Sequence, residues 1–215
     1  MTFDEVLREL PLVAILRGIK PDETEAIGDA LVEAGFRCIE VPLNSPEPLK
    51  SIEALRRRFE GRAIVGAGTV LSTEAVDRVA DSGGQIVVSP SANVEVIART
   101  KARGMISFPA FFTPTEAFTA LDAGADALKL FPAEAASPRV LKAVRAVLHA
   151  TTPVFPVGGI DPETMASWRE AGAAGFGVGG ALYTPGRSPV EVGERARRFV
   201  AVWRTGLDRP PAAPS

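Results

Sequence analysis

A lysine within an apolar stretch is the residue of this sequence best suited to chemistry. Lys129 stands in ADALKLFP, whose apolar residues are typical of a buried strand. Burial disfavours the ammonium form and lowers the pKa of a lysine by up to ~3–5 units, which leaves a neutral amine near physiological pH. Neutral amines attack carbonyl carbons and form Schiff bases. Lys129 is therefore a candidate nucleophile, and the alternative is a lysine whose stem runs along a strand to solvent.

Two further charged residues adjoin strand-like runs. Glu40 lies within RCIEVPL, and Arg17 follows LVAIL in the sequence LRG. A carboxylate close to an imine can move protons at the neighbouring carbon, although Glu40 could instead be the salt-bridge partner of Lys129 or Arg17. A guanidinium binds a carboxylate through two parallel hydrogen bonds, so Arg17 is either a substrate-binding residue or an ordinary surface arginine.

Two glycine pairs are candidates for anion binding. Gly158 and Gly159 lie in VGGI, and Gly179 and Gly180 lie in VGGAL. Glycine lets backbone N–H groups approach an anion closely, and a helix that starts nearby adds a favourable dipole. The pairs therefore predict a phosphate-binding site, with tight turns as the alternative use of the same glycines.

Eight short apolar runs, most of them rich in Val and Ile, must position these residues. They do not alternate strictly with polar residues, which is typical of parallel strands that are buried on both faces. Between them lie segments with helical periodicity, several of which start with a capping residue followed by proline. The predicted strands are 12–16, 37–41, 63–67, 85–89, 105–108, 127–131, 153–157 and 175–179. The predicted helix starts are Ser45-Pro46, Thr113-Pro114 (a capping box with Glu116), Ser137-Pro138, Asp161-Pro162 and Ser188-Pro189.

A unit of helix, glycine and strand repeats roughly every 23 residues, which favours an α/β fold of the (β/α)8 (TIM) barrel type. The main alternative is an open, doubly wound sheet. We predict a single barrel with short loops over residues 1–204 and a disordered tail over 205–215. In a barrel the active site lies at the carboxyl ends of the strands, where Arg17, Glu40, Thr69, Lys129 and the glycine pairs would meet.

Composition excludes several classes of function. The chain has 215 residues, 24 of them basic and 26 acidic, so it carries no positive field for nucleic acid. One Cys excludes a disulfide framework, and one His argues against a zinc site. The first residues do not form a signal peptide, and no apolar run reaches the ~18–20 residues of a membrane helix. We expect a cytoplasmic protein that needs no metal or other cofactor.

Six motifs resemble those of the 2-keto-3-deoxy-6-phosphogluconate/6-phosphogalactonate aldolases. The resemblance runs through residues 8–204 in the same order and spacing. It implies a (β/α)8 barrel, usually a homotrimer, and a class I aldolase, with Lys129 as the Schiff-base lysine and Glu40 as the acid/base. The motifs are AILRG (14–18), EVPLNSP (40–46), VGAGTVL (65–71), PTEAFTAL (114–121), ALKLFPAE (127–134) and VGGI (157–160).

The same resemblance assigns the substrate-binding residues. Arg17 and Thr69 would hold the pyruvate carboxylate. The phosphate would lie against backbone N–H groups of Gly158, Gly159, Gly179 and Gly180, because Gly180 and Ala181 stand where many members have Ser.

Two departures from the phosphogluconate pattern bear on the substrate. Asn44 and Val157 resemble the phosphogalactonate branch of the family. The resemblance therefore implies cleavage of 2-dehydro-3-deoxy-6-phosphogalactonate to pyruvate and D-glyceraldehyde 3-phosphate. The alternatives are the gluconate epimer, 4-hydroxy-2-oxoglutarate, or a phosphosugar-binding barrel without catalysis.

Overall fold

The computed structural model describes residues 1–205 and contains helices that alternate with short strands. The helices are α1 (Phe3–Glu9), α2 (Pro21–Ala34), α3 (Pro48–Arg58), α4 (Thr73–Asp81), α5 (Val94–Ala102), α6 (Pro114–Asp122), α7 (Pro138–Arg145), α8 (Met165–Glu170) and α9 (Pro189–Thr205). The strands are β1 (Leu12–Ile15), β2 (Cys38–Pro42), β3 (Ile64–Gly68), β4 (Ile86–Ser89), β5 (Ile106–Phe111), β6 (Leu128–Leu130), β7 (Val154–Pro156) and β8 (Phe176–Val178). A 3₁₀ turn at Ala133–Ala135 follows β6. Each of the eight predicted strand segments overlaps one observed strand, and β2, β3 and β5 extend beyond the predicted ends.

The eight strands are parallel and form a barrel in chain order. Each strand from β1 to β6 pairs with the next strand along the chain, and β1 also pairs with β8. A bridge between Val157 and Gly177 joins the ends of β7 and β8 and closes the ring. A doubly wound sheet would instead place its first strand inside the sheet and reverse the strand order around it. The (β/α)8 prediction is therefore confirmed.

Alternate residues of each strand face the inside of the barrel, because side chains on a strand point to opposite faces in turn. The lower half of the interior is a separate cluster of buried residues, in which the rings of Phe108 and Phe155 pack edge to face with centroids 5.0 Å apart. We call this cluster the lower layer. Its buried members are Val6, Val13, Cys38, Ile64, Ile86, Val88, Phe108, Ala127 and Phe155.

The amino-terminal helix closes the lower end of the barrel. Val6 of α1 is buried in the lower layer, and Phe3 and Leu7 pack against it. The larger core lies between the strands and the outer helices. With its lower end filled by apolar side chains, the barrel carries its buried charged residues nearer the carboxyl ends of the strands.

The predicted helix starts are confirmed in three cases. Thr113 forms the predicted capping box with Glu116, and the Ser137 side chain accepts the N–H of Val140 at the start of α7. Ser188 accepts the N–H of Glu191 at the start of α9. In each case a side-chain oxygen satisfies a backbone donor that the helix leaves unpaired.

Two predicted helix starts are wrong. Helix α3 begins at Pro48 rather than after Ser45, because the Ser45 hydroxyl accepts the N–H of Gly18 from a neighbouring loop at 2.9 Å. Helix α8 begins at Met165, because Asp161 accepts the N–H of Thr164 within a separate turn.

The carboxyl-terminal helix, α9, extends to Thr205. The tail predicted to be disordered, 205–215, begins at this residue, which is helical. The other ten positions of the tail lie outside the described residues. Within residues 1–205, no helix combines the length and apolar character needed to span a bilayer.

Candidate active site

Lys129 and Glu40 lie inside the barrel, nearer the carboxyl ends of the strands than the lower layer. Lys129 follows Ala127 by two residues on β6, and Glu40 follows Cys38 by two residues on β2, so both share the inward face. The side chains are buried, with Lys129 5% exposed and Glu40 2% exposed. Charged residues are almost never buried this far without a charged partner, so the pair requires an explanation.

Burial and mutual attraction act in opposite directions on the two groups. Burial raises the pKa of Glu40 to about 7, although the positive charges of Lys129 and Arg17 oppose this rise. Burial lowers the pKa of Lys129, and Arg17 lowers it further, while the charge of Glu40 opposes the change. A carboxyl whose pKa is near neutrality can both accept and donate a proton, and a lysine with a lowered pKa exposes a nucleophilic amine.

A glycine makes room for the Glu40 carboxylate. A Cβ placed on Gly68, at the end of β3, would overlap both the Oε2 and the Cδ of Glu40. Oε2 is also buried and has no hydrogen-bond partner among the described residues. A buried polar atom without a partner costs free energy, and such atoms are common where a substrate or water completes the hydrogen bonds. Glu40 is thus held in a space that only glycine at position 68 leaves open.

Arg17 lies at the rim above this pair and is held by two neighbouring loops. Its Nη1 donates to Oδ1 of Asn44 at 2.6 Å and to Oγ1 of Thr69 at 3.5 Å. Thr69 has a φ of 57°, a left-handed conformation that is uncommon for a residue other than glycine. Strained backbone of this kind clusters at sites of function, where the surrounding structure holds it in place.

A cavity of about 370 Å³ opens beside these residues. It is lined by Ile15, Arg17, Lys129, Phe131, Glu134, Val157, Gly158, Gly159, Ile160, Asp161, Gly177, Gly179, Gly180 and Ala181. Six of the eight predicted site residues are among them. The other two, Glu40 and Thr69, do not line the cavity, but Glu40 interacts with the charge of Lys129 and Thr69 accepts a hydrogen bond from Arg17.

The two glycine pairs form the end of the cavity that lies at the carboxyl ends of β7 and β8. Gly158 and Gly159 have φ values of 110° and 64°, so both adopt conformations that other residues rarely take. At Gly180 a Cβ would meet no atom within 4 Å, which leaves open space above this turn. The end of the cavity is therefore built from backbone rather than from large side chains.

Three residues of the site were not singled out as binding residues from the sequence. Asn44 holds Arg17, the Phe131 ring lies 4.6 Å from Nζ of Lys129, and Glu134 lines the cavity. Phe131 could have been found, because it follows Lys129 by two residues and therefore shares its face of the strand. Asn44 lies in a turn after β2 and Glu134 in a short 3₁₀ turn, where sequence periodicity gives no orientation.

Over residues 1–205, no group of three or more His, Cys, Asp or Glu side chains is arranged to hold a metal ion. Cys38 is buried in the lower layer, where desolvation raises the pKa of its thiol. It lies away from the cavity and packs as a small apolar residue.

Comparisons with known proteins agree with this site. The family model of the KDPG and KHG aldolases matches residues 3–190. The chain is 48% identical to 2-dehydro-3-deoxy-6-phosphogalactonate aldolase of Escherichia coli over 93% of this chain and 97% of that protein. It is 45% identical to a protein of Rhizobium meliloti described as a probable aldolase of the same name, over 91% and 92% of the two chains.

Solved structures show the same barrel. A structure described as native KDPGal superposes with a TM-score of 0.92 at 47% identity and covers 94% of this chain and 98% of that chain. The 2-keto-3-deoxy-6-phosphogluconate aldolase of Zymomonas mobilis, solved with 3-phosphoglycerate, has a TM-score of 0.83 at 26% identity, over 93% and 95% of the chains. The resemblance inferred from the six sequence motifs is confirmed, and the chain belongs to the KDPG and KHG aldolase family.

Proposed function

We propose that the chain is a class I aldolase that cleaves 2-dehydro-3-deoxy-6-phosphogalactonate to pyruvate and D-glyceraldehyde 3-phosphate. The observation that carries this proposal is a lysine, Lys129, that is buried within the barrel and yet lines an open cavity. The family relationship makes it a carbon–carbon lyase. The geometry supplies the nucleophile that such a lyase needs when it works through a Schiff base.

Lys129 attacks the C2 ketone of the substrate and forms a carbinolamine, which loses water to give the imine. The protonated imine then accepts the electron pair of the breaking C3–C4 bond, so the reaction needs no metal. Glu40, directly or through a water molecule, moves the protons for loss of water and takes the proton of the C4 hydroxyl. A pKa raised to about 7 suits both tasks, because the group accepts and releases protons easily near neutral pH.

The two ends of the cavity suit the two ends of the substrate. Arg17, held by Asn44 and near Thr69, offers a guanidinium to the carboxylate of the pyruvate half. The opposite end is formed by Gly158, Gly159, Gly179 and Gly180, whose backbone would receive the phosphate.

The comparisons favour the galactonate substrate over the gluconate one. Identity to the phosphogalactonate aldolase of Escherichia coli is 48%, whereas identity to the KHG/KDPG aldolase of the same organism is 32% over 74% of both chains. A phosphosugar-binding barrel without catalysis would have no reason to bury Lys129 and Glu40 together, because burial of ionisable groups costs free energy.

We also propose a cytoplasmic homotrimer. Several large apolar side chains are exposed on α5, α6, α7 and the loops before them, which is typical of protein interfaces. They are Val94, Phe112, Phe118 and Val140. A cage designed by fusing symmetric oligomeric domains contains a chain that is 47% identical, with a TM-score of 0.91. Analytical ultracentrifugation should give the mass of three chains, and a stable single chain at micromolar concentration would contradict the proposal.

The Schiff base is tested by reductive trapping. Sodium borohydride added with pyruvate should attach one pyruvate-derived group to Lys129 and abolish activity, because reduction makes the imine bond permanent. Mass spectrometry of peptides locates the group. The Lys129→Ala variant should show no adduct, and an adduct equal to that of the unchanged protein would place the nucleophile elsewhere.

The position of Glu40 is tested through the glycine that makes room for it. In Gly68→Ala the new methyl group overlaps the Glu40 carboxylate and must displace it. We expect kcat to fall by about 10²–10⁴-fold, the usual contribution of a positioned acid/base, while the fold persists. Circular dichroism and thermal unfolding check the fold. Gly193→Ala on α9, where the nearest neighbour is the flexible end of Arg197 at 3.3 Å, is the matched control. Equal kcat values in the two variants would remove Glu40 from the mechanism.

The epimer preference is tested at Val157, which lines the cavity just before Gly158. Valine accepts no hydrogen bond from a substrate hydroxyl, so discrimination at C4 should be modest and should favour the galactonate form. Val157→Thr adds one hydrogen bond, worth about 0.5–1.5 kcal/mol, and should shift the ratio of kcat/KM roughly three- to tenfold toward the gluconate form. Steady-state kinetics on both epimers give the ratio. A strong preference of the unchanged protein for the gluconate form, or no shift in the variant, would contradict the assignment.

A further inference from the structure

The carboxylate of Glu134 lies directly on the first glycine pair. Its 3₁₀ turn is tied to the end of β7 by a hydrogen bond of 2.9 Å from the Ala133 N–H to the Val157 carbonyl oxygen. A Cβ on Gly158 would overlap the Glu134 carboxylate, and a Cβ on Gly159 would lie 2.8 Å from its Cγ. The negative charge therefore occupies the end of the cavity at which a phosphate would bind.

Nothing in the described part of the chain neutralises this charge. Glu134 is exposed, and across residues 1–205 its carboxylate forms no hydrogen bond within the protein and no ion pair with a basic side chain. Its oxygens remain free to accept hydrogen bonds from a ligand. The cavity thus contains an acceptor that is aimed at the far end of a bound substrate.

The cavity lining carries groups of both charges. Its basic residues are Arg17 and Lys129, which serve the pyruvate half of the substrate. The same lining includes two carboxylates, Glu134 and Asp161, and Glu134 lies against the first glycine pair. Arg187 donates to the Gly180 carbonyl oxygen at 2.7 Å but is not part of the lining.

We infer that Glu134 is a specificity-determining residue that weakens the preference for a phosphorylated substrate. This rests on the proposed function, because it concerns the far end of the same sugar acid. The repulsion between the carboxylate and a phosphate dianion offsets part of what the backbone N–H groups contribute. A terminal hydroxyl has no such penalty and donates a hydrogen bond to Glu134. The enzyme therefore also cleaves unphosphorylated 2-keto-3-deoxy sugar acids.

The test compares 2-dehydro-3-deoxy-galactonate with its 6-phosphate as substrates. Glu134→Gln keeps the size of the side chain and removes its charge. We expect the ratio of kcat/KM, phosphorylated over unphosphorylated, to rise about tenfold or more, mainly through a lower KM for the phosphorylated compound. The difference in this ratio between Glu134→Gln and the unchanged protein should shrink at about 0.5 M salt, because ions screen the repulsion in the unchanged protein.

Glu60→Gln provides a control with the same change in net charge. Glu60 is exposed and lies between α3 and β3, at the opposite end of the barrel from the cavity. A ratio in Glu134→Gln that stays within about twofold of that in Glu60→Gln, or that shifts toward the unphosphorylated compound, would overturn the inference.

A binding measurement separates this inference from the proposed reaction. Glycerol 3-phosphate needs no turnover, and calorimetry should show that it binds several-fold more tightly to Glu134→Gln than to Glu60→Gln. Equal affinity in the two variants would overturn the role of Glu134 even if both sugar acids are cleaved. Failure of the unchanged protein to cleave either sugar acid or to trap pyruvate would instead count against the aldolase assignment.

Discussion

The burial of two opposite charges inside the barrel is the constraint on which the site depends. Burial alone would favour the neutral forms of both Glu40 and Lys129. The opposite charge of each group favours the charged form of the other. The opposing effects leave the pKa of Glu40 near neutrality and lower that of Lys129. Buried opposite charges are weak evidence for stability, since apolar residues of similar volume often fold as well. The pair is better explained by the chemistry that it makes possible.

The rest of the barrel shields these charges from solvent and leaves Lys129 accessible from the cavity. The lower layer fills the interior with apolar side chains, and α1 covers it from below through Val6. Two residues farther along the inward face, Glu40 follows Cys38 on β2 and Lys129 follows Ala127 next to β6. The same period of two that packs the core therefore also sets the height of the reactive groups.

The sequence predicted the parts of this structure that follow from periodicity. Eight apolar runs located the strands. Lys129 and Glu40 were identified because each is an ionisable residue within such a run. Contacts between loops could not be predicted, because they depend on which strands become neighbours. Ser45 has the sequence of a helix cap, but the pairing of β1 with β2 places Gly18 beside it, and the Ser45 hydroxyl accepts the Gly18 N–H instead. Asn44 likewise acquires its contact with Arg17 only when β1 and β2 pair.

The cavity combines a constant half with an adjustable one. At the pyruvate end, charge and geometry are fixed by strands: Lys129 and Glu40 are inward residues of β6 and β2, and Arg17 directly follows β1. At the other end, glycine turns offer backbone groups that any anion or hydroxyl could meet, and the side chain that faces them, Glu134, comes from a short turn. Substituting one residue of that turn changes the protein charge that faces the far end of a bound substrate, and the strands stay in place. If the proposed roles hold, with chemistry at one end and selectivity at the other, a family built on this barrel can change its substrate while it keeps its reaction.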